Sequence, residues 1–350
     1  LIVSFLGRRL SLKAMENAQH LGLPNLIRYL GGWTPFPMGV VLSLTMRCNL
    51  ACQMCPQVQM REETEYPELT LEQLEAVVDD LRTSFPIRPL IHLIGGETLL
   101  RRDAITLARY IKARGFQCSL TTNGLLLQRH AEELVGLGLD RINVSIDGPR
   151  EVHDAERGIR GAYDLAIGGI QALVAARSAG ASYRPAITIN TVITGENLAR
   201  LPEMIDIAKT AGADALSYQH LIFAGCGAEG GATVPALEQL LVMVPLLKQA
   251  ARVAGLPVTL FPKMGDRQLR AYYGGDERDL KRACVFPWYV IHVDTFGNIT
   301  PCRGFVVDNV TTKSGTFAQV WNSPRFRGYR KELARKGVFG DCGRCCHRQY

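Results

Sequence analysis

The sequence has no apolar run approaching the roughly 20 residues that a membrane-spanning helix takes, so no membrane span is expected. The opening Leu1-Ile2-Val3-Ser4-Phe5-Leu6 is too short for a signal-peptide core and has no basic residue ahead of it. It also starts without Met, so residues upstream are expected. Nor is there a block of Lys or Arg: the formal charge of +7 is spread along the chain. A nucleic-acid partner is therefore not expected, whereas a substrate bearing phosphate or carboxylate is compatible. Cysteine, by contrast, is abundant, with ten in 350 residues. They cluster as C-x3-C-x2-C early and C-x2-C-C late, which reads as metal ligation in a reducing compartment rather than a disulfide framework. A cytoplasmic location is expected on that ground.

The first cysteine group lacks a fourth member. Cys48, Cys52 and Cys55 follow the apolar run Val40-Val41-Leu42-Ser43-Leu44, so a strand ends in a cysteine loop. Four thiolates close a tetrahedral zinc site or a complete iron–sulfur cluster, whereas three can hold a [4Fe–4S] cluster and leave one iron open. A zinc site completed elsewhere and three buried thiols are the alternatives.

Cys48, Cys52 and Cys55 match without departure the hallmark of the radical S-adenosylmethionine (AdoMet) enzymes, and the chain resembles that family from about Pro37 to its end. The resemblance implies that the open iron binds the amino and carboxylate groups of AdoMet. One electron from the cluster then breaks the sulfonium–carbon bond, and a 5′-deoxyadenosyl radical takes a hydrogen atom from the substrate. It further implies an external one-electron donor such as flavodoxin or ferredoxin.

Short apolar strands alternate with amphipathic helices from Val40 onward, which predicts an α/β fold with a parallel sheet wrapped by helices. Strands are expected near 40–46, 90–95, 116–121, 140–147, 185–193 and 214–221. Helices are expected near 70–84, 101–114, 127–136, 161–179, 197–211 and 234–254. Six such units resemble the partial (β/α)6 TIM-like barrel of the family, with a small C-terminal α+β cluster-binding domain. The expected division is a helical cap over 1–38, the barrel over 39–255 and the auxiliary domain over 256–350. Residues 257–282 read as irregular and basic.

In such barrels the loops after the strands line the catalytic mouth. Gly95-Gly96-Glu97-Thr98 closes the second strand and resembles the family motif for the AdoMet amino group, with Thr98 where Pro is usual. Glycines admit a close backbone, and a carboxylate can accept from an ammonium. Thr121-Thr122-Asn123-Gly124 follows the third strand; Asn123 and Thr122 lie near AdoMet by resemblance, and Asn123 could equally cap a helix. Ser145 and Asp147 in Ser145-Ile146-Asp147-Gly148 are expected on one side of the fourth strand, suited to ribose hydroxyls, with Val144 and Ile146 packed outward. Arg157 matches a family arginine that pairs with the AdoMet carboxylate; Arg160 is the alternative, as is a solvated loop charge for either. Asn190 on the fifth strand contacts AdoMet or makes a structural hydrogen bond. Tyr218, His220 and Cys226, at and after the sixth strand, are read as facing the mouth. There His220 is the candidate base and Cys226 the candidate hydrogen-atom donor, against plain packing or loop roles. Cys118 is expected in the core.

Near the C-terminus, Cys284 and Cys302 flank a predicted hairpin that turns at Thr295-Phe296-Gly297-Asn298. A helix over 323–336 follows, and then Cys342, Cys345 and Cys346. Zinc fits the arithmetic of four cysteines. The arrangement also resembles the SPASM and Twitch extensions of radical AdoMet enzymes. That implies one auxiliary [4Fe–4S] cluster on Cys284, Cys302, Cys342 and Cys345, with Cys346 able to replace Cys345. Two clusters would leave the chain at about +4.

A four-cysteine cluster suits electron transfer, so the expected reaction is a two-electron oxidation, a dehydrogenation of a small molecule such as a sugar or aminocyclitol. Radical AdoMet aminocyclitol dehydrogenases resemble this layout. The 38 residues ahead of the barrel are too few for a peptide-recognition domain or a cobalamin domain. Epimerisation with Cys226 or Cys346 as hydrogen donor, peptide modification, and a non-catalytic zinc scaffold are the alternatives.

Overall fold

The computed structural model describes residues 32–55, 67–222, 233–274, 284–302, 305–337 and 339. The helices expected within the first 30 residues, Cys226, Cys342, Cys345 and Cys346 lie outside the described residues.

In chain order the elements are β1 (Gly39–Ser43), α1 (Leu71–Ser84), β2 (Leu90–Ile94), α2 (Ala104–Ala113), β3 (Cys118–Thr122), α3 (Leu127–Gly136), β4 (Arg141–Ser145), α4 (Arg150–Arg157), α5 (Ala162–Ala179), β5 (Ala186–Ile193), α6 (Glu203–Ala211), β6 (Ala215–His220), α7 (Leu237–Ala254), β7 (Val258–Phe261), α8 (Asp266–Gly274), β8 (Val290–Val293), β9 (Asn298–Thr300), β10 (Asp308–Asn309), α9 (Phe317–Trp321) and α10 (Pro324–Lys336). All six expected strands and their helices are present. Three features differ from expectation. The run after Gly148 is a helix, α4, not a loop. The stretch read as irregular contains β7, which pairs in parallel with β6, and α8. A short helix, α9, precedes α10.

The described residues fall into two compact units that do not follow chain order. One holds the residues up to Met46, those from 67 to Ser119 and those from 284 to 337. In it β8 and β2 flank β1 in parallel, while β9 and β10 continue antiparallel from β8. The other unit holds 47–55, 120–222, 233–274 and 339, with β4, β5, β6 and β7 parallel in that order. Strand β3 begins in the first unit and ends in the second. Parallel pairing requires a crossover of a dozen or more residues between successive strands, and the helices supply it.

The start of α1 follows from its sequence. Thr70 accepts from the Gln73 N–H and Gln73 returns the bond to the Thr70 N–H, a capping box that starts α1. Leu74, Val77, Val78 and Leu81 then recur at helical spacing and are buried. In the second unit Gly124 has φ +88°, and a Cβ there would lie 2.9 Å from the Ala166 Cα and 3.1 Å from a Val144 methyl. Only glycine lets the turn after β3 sit this close to α5 and β4. Cys118 is fully buried, as expected.

In the first unit, Arg330 of α10 is fully buried, and no carboxylate pairs with it among the described residues. Its guanidinium donates to the carbonyls of Pro287, Gly32 and Trp321, at 2.8, 3.1 and 2.7 Å. It also stacks 3.9 Å from the Trp321 ring centroid and 4.1 Å from that of Phe326. One side chain therefore ties the segment before β1 to the turn before β8 and to α9. An Arg330→Met chain keeps the stem but leaves three carbonyls without their donor. It is expected to lose about 3–5 kcal/mol in urea unfolding; a loss under about 1 kcal/mol would mean that water replaces the guanidinium.

Candidate active site and metal centre

The cysteine loop leaves β1 under two restraints. The Glu68 carboxylate accepts from the Thr45 hydroxyl (2.6 Å) and from the Met46 N–H (2.9 Å). Arg101, itself forked onto Asp103, donates to the Leu44 carbonyl at 2.9 Å. Neither Glu68 nor Arg101 stands out in the sequence, because each acts on a backbone group distant along the chain. The Gly-Gly-Glu motif lies against the same exit. The Gly96 N–H donates to the Thr45 carbonyl at 2.7 Å, and a Cβ on Gly95 would lie 2.7 Å from that oxygen, so no side chain fits there. Glu97 is buried, and one of its carboxylate oxygens accepts from the Leu99 N–H.

The three cysteines themselves belong to the second unit. Cys52 is buried and Cys48 and Cys55 are half-buried, in an apolar patch with Leu50, Met54, Leu125, Val192 and Leu221. Among the described residues no three His, Cys, Asp or Glu side chains gather on a single-ion position. A cubane asks for no such convergence, since its three thiolates bind three different irons. Three soft sulfur donors in an apolar setting, two of them met by N–H donors, fit a [4Fe–4S] cluster. The Arg157 guanidinium donates to the Cys52 sulfur at 3.6 Å, and the Asn123 amide lies 3.9 Å from the Cys48 sulfur. Burial pushes the Cys52 thiol up, while Arg157 works the other way by favouring the thiolate.

Several of the residues expected near AdoMet already have partners within the protein. Asn123 neither caps a helix nor stands free: its amide donates to the Asn49 oxygen at 2.8 Å, and its own oxygen accepts from the Leu125 N–H. It thus ties the turn after β3 to the cysteine loop. Thr122 is buried and accepts from the Gly124 N–H. Ser145 and Asp147 differ in burial: β4 ends at the half-buried Ser145, and Asp147 lies beyond it, with Val144 and Ile146 fully buried as expected. Asp147 is fully buried, 2.5 Å from Arg157, and accepts from the Val192 N–H, so it is not a free ribose ligand. Arg157 is no solvated charge either, being buried in the last turn of α4, whereas Arg160 is exposed. Burial opposes its charge, but Asp147 and Cys52 hold the guanidinium protonated, above the usual arginine range.

Register explains what the sixth strand does. Ser145 pairs with Asn190, and Asn190 with Ser217; all three are half-buried in one row. Val144, Ile189 and Leu216 occupy the opposite, helix-packed face and are fully buried. Thr191 pairs with Tyr218 and Ile193 with His220, which puts Tyr218 and His220 on that helix-packed face too. The expectation that they face the mouth is therefore corrected. The Tyr218 hydroxyl donates to the Leu201 carbonyl. His220 is hydrogen-bonded to the Tyr273 hydroxyl and enclosed by Tyr272 and Tyr273. Burial pushes His220 down to about 3, so it stays neutral and has no route to a substrate proton. The residues overlooked are Ser217 and Gln219, one position away, and a single-residue change of register would have found them.

In the first unit a comparable row runs His292, Val41, His92 across β8, β1 and β2. His292 is hydrogen-bonded to Ser43 at 2.9 Å and His92 to Ser119 at 2.7 Å. Of the cysteines expected to hold the auxiliary cluster, Cys284 and Cys302 are half-buried, one before β8 and one after β9, on the expected hairpin.

Behind the cysteine loop, Glu156 is buried; one oxygen accepts from Thr194 and the other has no hydrogen-bond partner. Burial raises its carboxyl to about 7. The folded chain thus keeps a proton that the unfolded chain has lost between about pH 4.5 and 7, and stability falls as pH rises through that window. His153, held down to about 4 by burial, acts oppositely, as does His220. Comparing Glu156→Gln with the parent cancels both histidines. The variant is expected to gain about 2–3 kcal/mol on the parent from pH 4.5 to 7 and then level off. A difference in urea stability that stays flat across the window would show that Glu156 is not buried with its charge.

The family model of the Radical SAM superfamily matches residues 42–208, and that of the SPASM iron–sulfur cluster-binding domain matches residues 284–346. The chain is 27% identical to the AdoMet-dependent heme synthase of Oleidesulfovibrio alaskensis, over 93% of this chain and 84% of that protein. It is 28% identical to the PqqA peptide cyclase of Gluconobacter oxydans, over 84% and 79%. Its fold matches that of Streptococcus suis SuiB bound to S-adenosylmethionine with a TM-score of 0.66, at 17% identity and covering 91% and 74% of the two chains. The Radical SAM domain implies a [4Fe–4S] cluster and AdoMet, and the SPASM domain implies auxiliary iron–sulfur clusters. The chain belongs to the radical SAM superfamily, as a member with a SPASM-type C-terminal iron–sulfur domain.

Proposed function

We propose that this chain carries out a radical-initiated two-electron oxidation of a small organic substrate, a carboxylate-bearing tetrapyrrole in preference to a sugar or aminocyclitol. The observation that carries this reading is the likeness to a heme synthase over most of both chains. The row of His292 and His92, each oriented by a serine, supports it, because two imidazoles on one sheet face suit an acidic substrate. Bound together, the cluster and AdoMet supply a carbon-centred radical able to take a hydrogen atom from the substrate. Cys48, Cys52 and Cys55 hold that cluster. Glu97 and the backbone of Gly95 and Gly96 take the AdoMet amino group, and Ser145, Asn190 and Ser217 take its hydroxyls. Cys284, Cys302, Cys342 and Cys345 hold one auxiliary cluster, which accepts the second electron. The division into a cap over 1–38, a barrel over 39–255 and an auxiliary domain over 256–350 belongs to this proposal. So do a cytoplasmic setting and an external donor of the flavodoxin or ferredoxin kind. Peptide modification is the second reading, and the likeness to a peptide cyclase favours it.

Anaerobically reconstituted protein is expected to bind about eight irons, and a C48A/C52A/C55A chain about four. Incubated with AdoMet and dithionite, the parent is expected to form 5′-deoxyadenosine faster with a tetrapyrrole carboxylate such as iron-coproporphyrin than with an aminocyclitol or a peptide. The product should have lost two electrons. Stimulation by peptides alone would move the reading to peptide modification. A product isomeric with the substrate in ordinary water, and carrying deuterium at carbon when formed in deuterium oxide, would move it to epimerisation.

A further inference from the structure

We propose that Arg157 is a positioning residue for the cluster: it donates to the Cys52 thiolate and raises the cluster's reduction potential, with Asp147 setting how far. The inference rests on reading Cys52 as a cluster ligand. Its basis is geometric. The Arg157 guanidinium is buried and divided among three directions. One terminal nitrogen donates to the Cys52 sulfur at 3.6 Å, the other lies 2.5 Å from Asp147, and the Nε–H has no hydrogen-bond partner among the described residues.

Three further contacts hold the guanidinium in place. Asp147 is pinned by the Val192 N–H at 2.9 Å, and its own carbonyl accepts from Asn197 at 2.7 Å. The end of α4 is fastened to the cysteine loop, since the Gln53 N–H donates to the Glu156 carbonyl at 3.1 Å. Arg157 is therefore anchored on both sides before any ligand arrives. A cation that served only a diffusible carboxylate would have no reason to spend a donor on a thiol sulfur.

Reduction adds one negative charge to a cluster, and the thiolate ligands share it. A charge-assisted hydrogen bond to such a sulfur stabilises the reduced state more than the oxidised one, so the potential rises. Asp147 lies on the far side of the same ion pair and opposes that effect. Removing the cation and removing its counter-charge are thus expected to act in opposite directions, which a loss of packing would not do.

The test is a dithionite titration of the AdoMet-free, reconstituted full chain, followed by electron paramagnetic resonance. The signal of a C48A/C52A/C55A chain is subtracted to remove the auxiliary contribution. Arg157→Gln is expected to lower the midpoint potential and Asp147→Asn to raise it, both with parental iron content. If Arg157→Gln fails to load iron, the upward shift in Asp147→Asn decides alone. An unchanged potential in the variants that load would overturn the inference. So would shifts of the same sign, or an Arg157→Gln effect confined to AdoMet binding, measured by anaerobic calorimetry. A C48A/C52A/C55A chain that keeps all its iron would instead sink the assignment of Cys52.

Discussion

The buried pair of Arg157 and Asp147 is the constraint on which the cysteine loop depends. Two charges taken out of water cost several kcal/mol each, and their attraction offsets that only if the remaining donors and acceptors are met. The second unit supplies partners from distant positions for all but the Arg157 Nε–H among the described residues. The Val192 N–H serves the carboxylate, Asn197 serves the Asp147 carbonyl, and the Cys52 sulfur takes an arginine N–H. Arg330 in the first unit answers the same problem without a carboxylate, using backbone carbonyls and two aromatic faces. The two arginines differ in what they serve: one ties segments of backbone together, the other points at the Cys52 sulfur of the cysteine loop.

Parallel register does the next part of the work. In the second unit it aligns Ser145, Asn190 and Ser217 in a half-buried row and sends Thr191, Tyr218, Ile193 and His220 to the helix-packed face. The chemistry open to a side chain follows from that division. A histidine enclosed by tyrosines and held neutral cannot act as a base, whereas Gln219, one position earlier, lies in the half-buried row with Ser217. In the first unit the same principle brings His292 and His92 to either side of Val41.

The family likeness settles the kind of chemistry and leaves the substrate to local features, because one scaffold hosts many reactions. Relatives named for heme synthesis and for peptide cyclisation match the chain at nearly equal identity. What separates such enzymes is the set of side chains presented on the strand faces. In the reading proposed above, the paired histidines are what weighs toward an acidic small molecule.

Much of this could be read from residue order. C-x3-C-x2-C after a strand, Gly-Gly-Glu after the next strand and the alternation of strand and helix are all local patterns, and the structure places each as expected. The division of labour among buried polar groups was not legible. Asp147 looked like a ribose ligand, Tyr218 and His220 looked like mouth residues, and Glu68 and Arg101 passed unnoticed. The partners that decide these roles are Arg157 for Asp147, Tyr273 for His220, and the backbone at Leu44, Thr45 and Met46 for Arg101 and Glu68. Most are tens of residues away along the chain. Sequence by itself determined the alternation of strand and helix and where cysteine gathers, since spacing and periodicity act over a few residues. Tertiary structure alone decided which polar side chains are consumed by burial and which remain for a ligand, because a buried group's partner is set by strand register and helix packing.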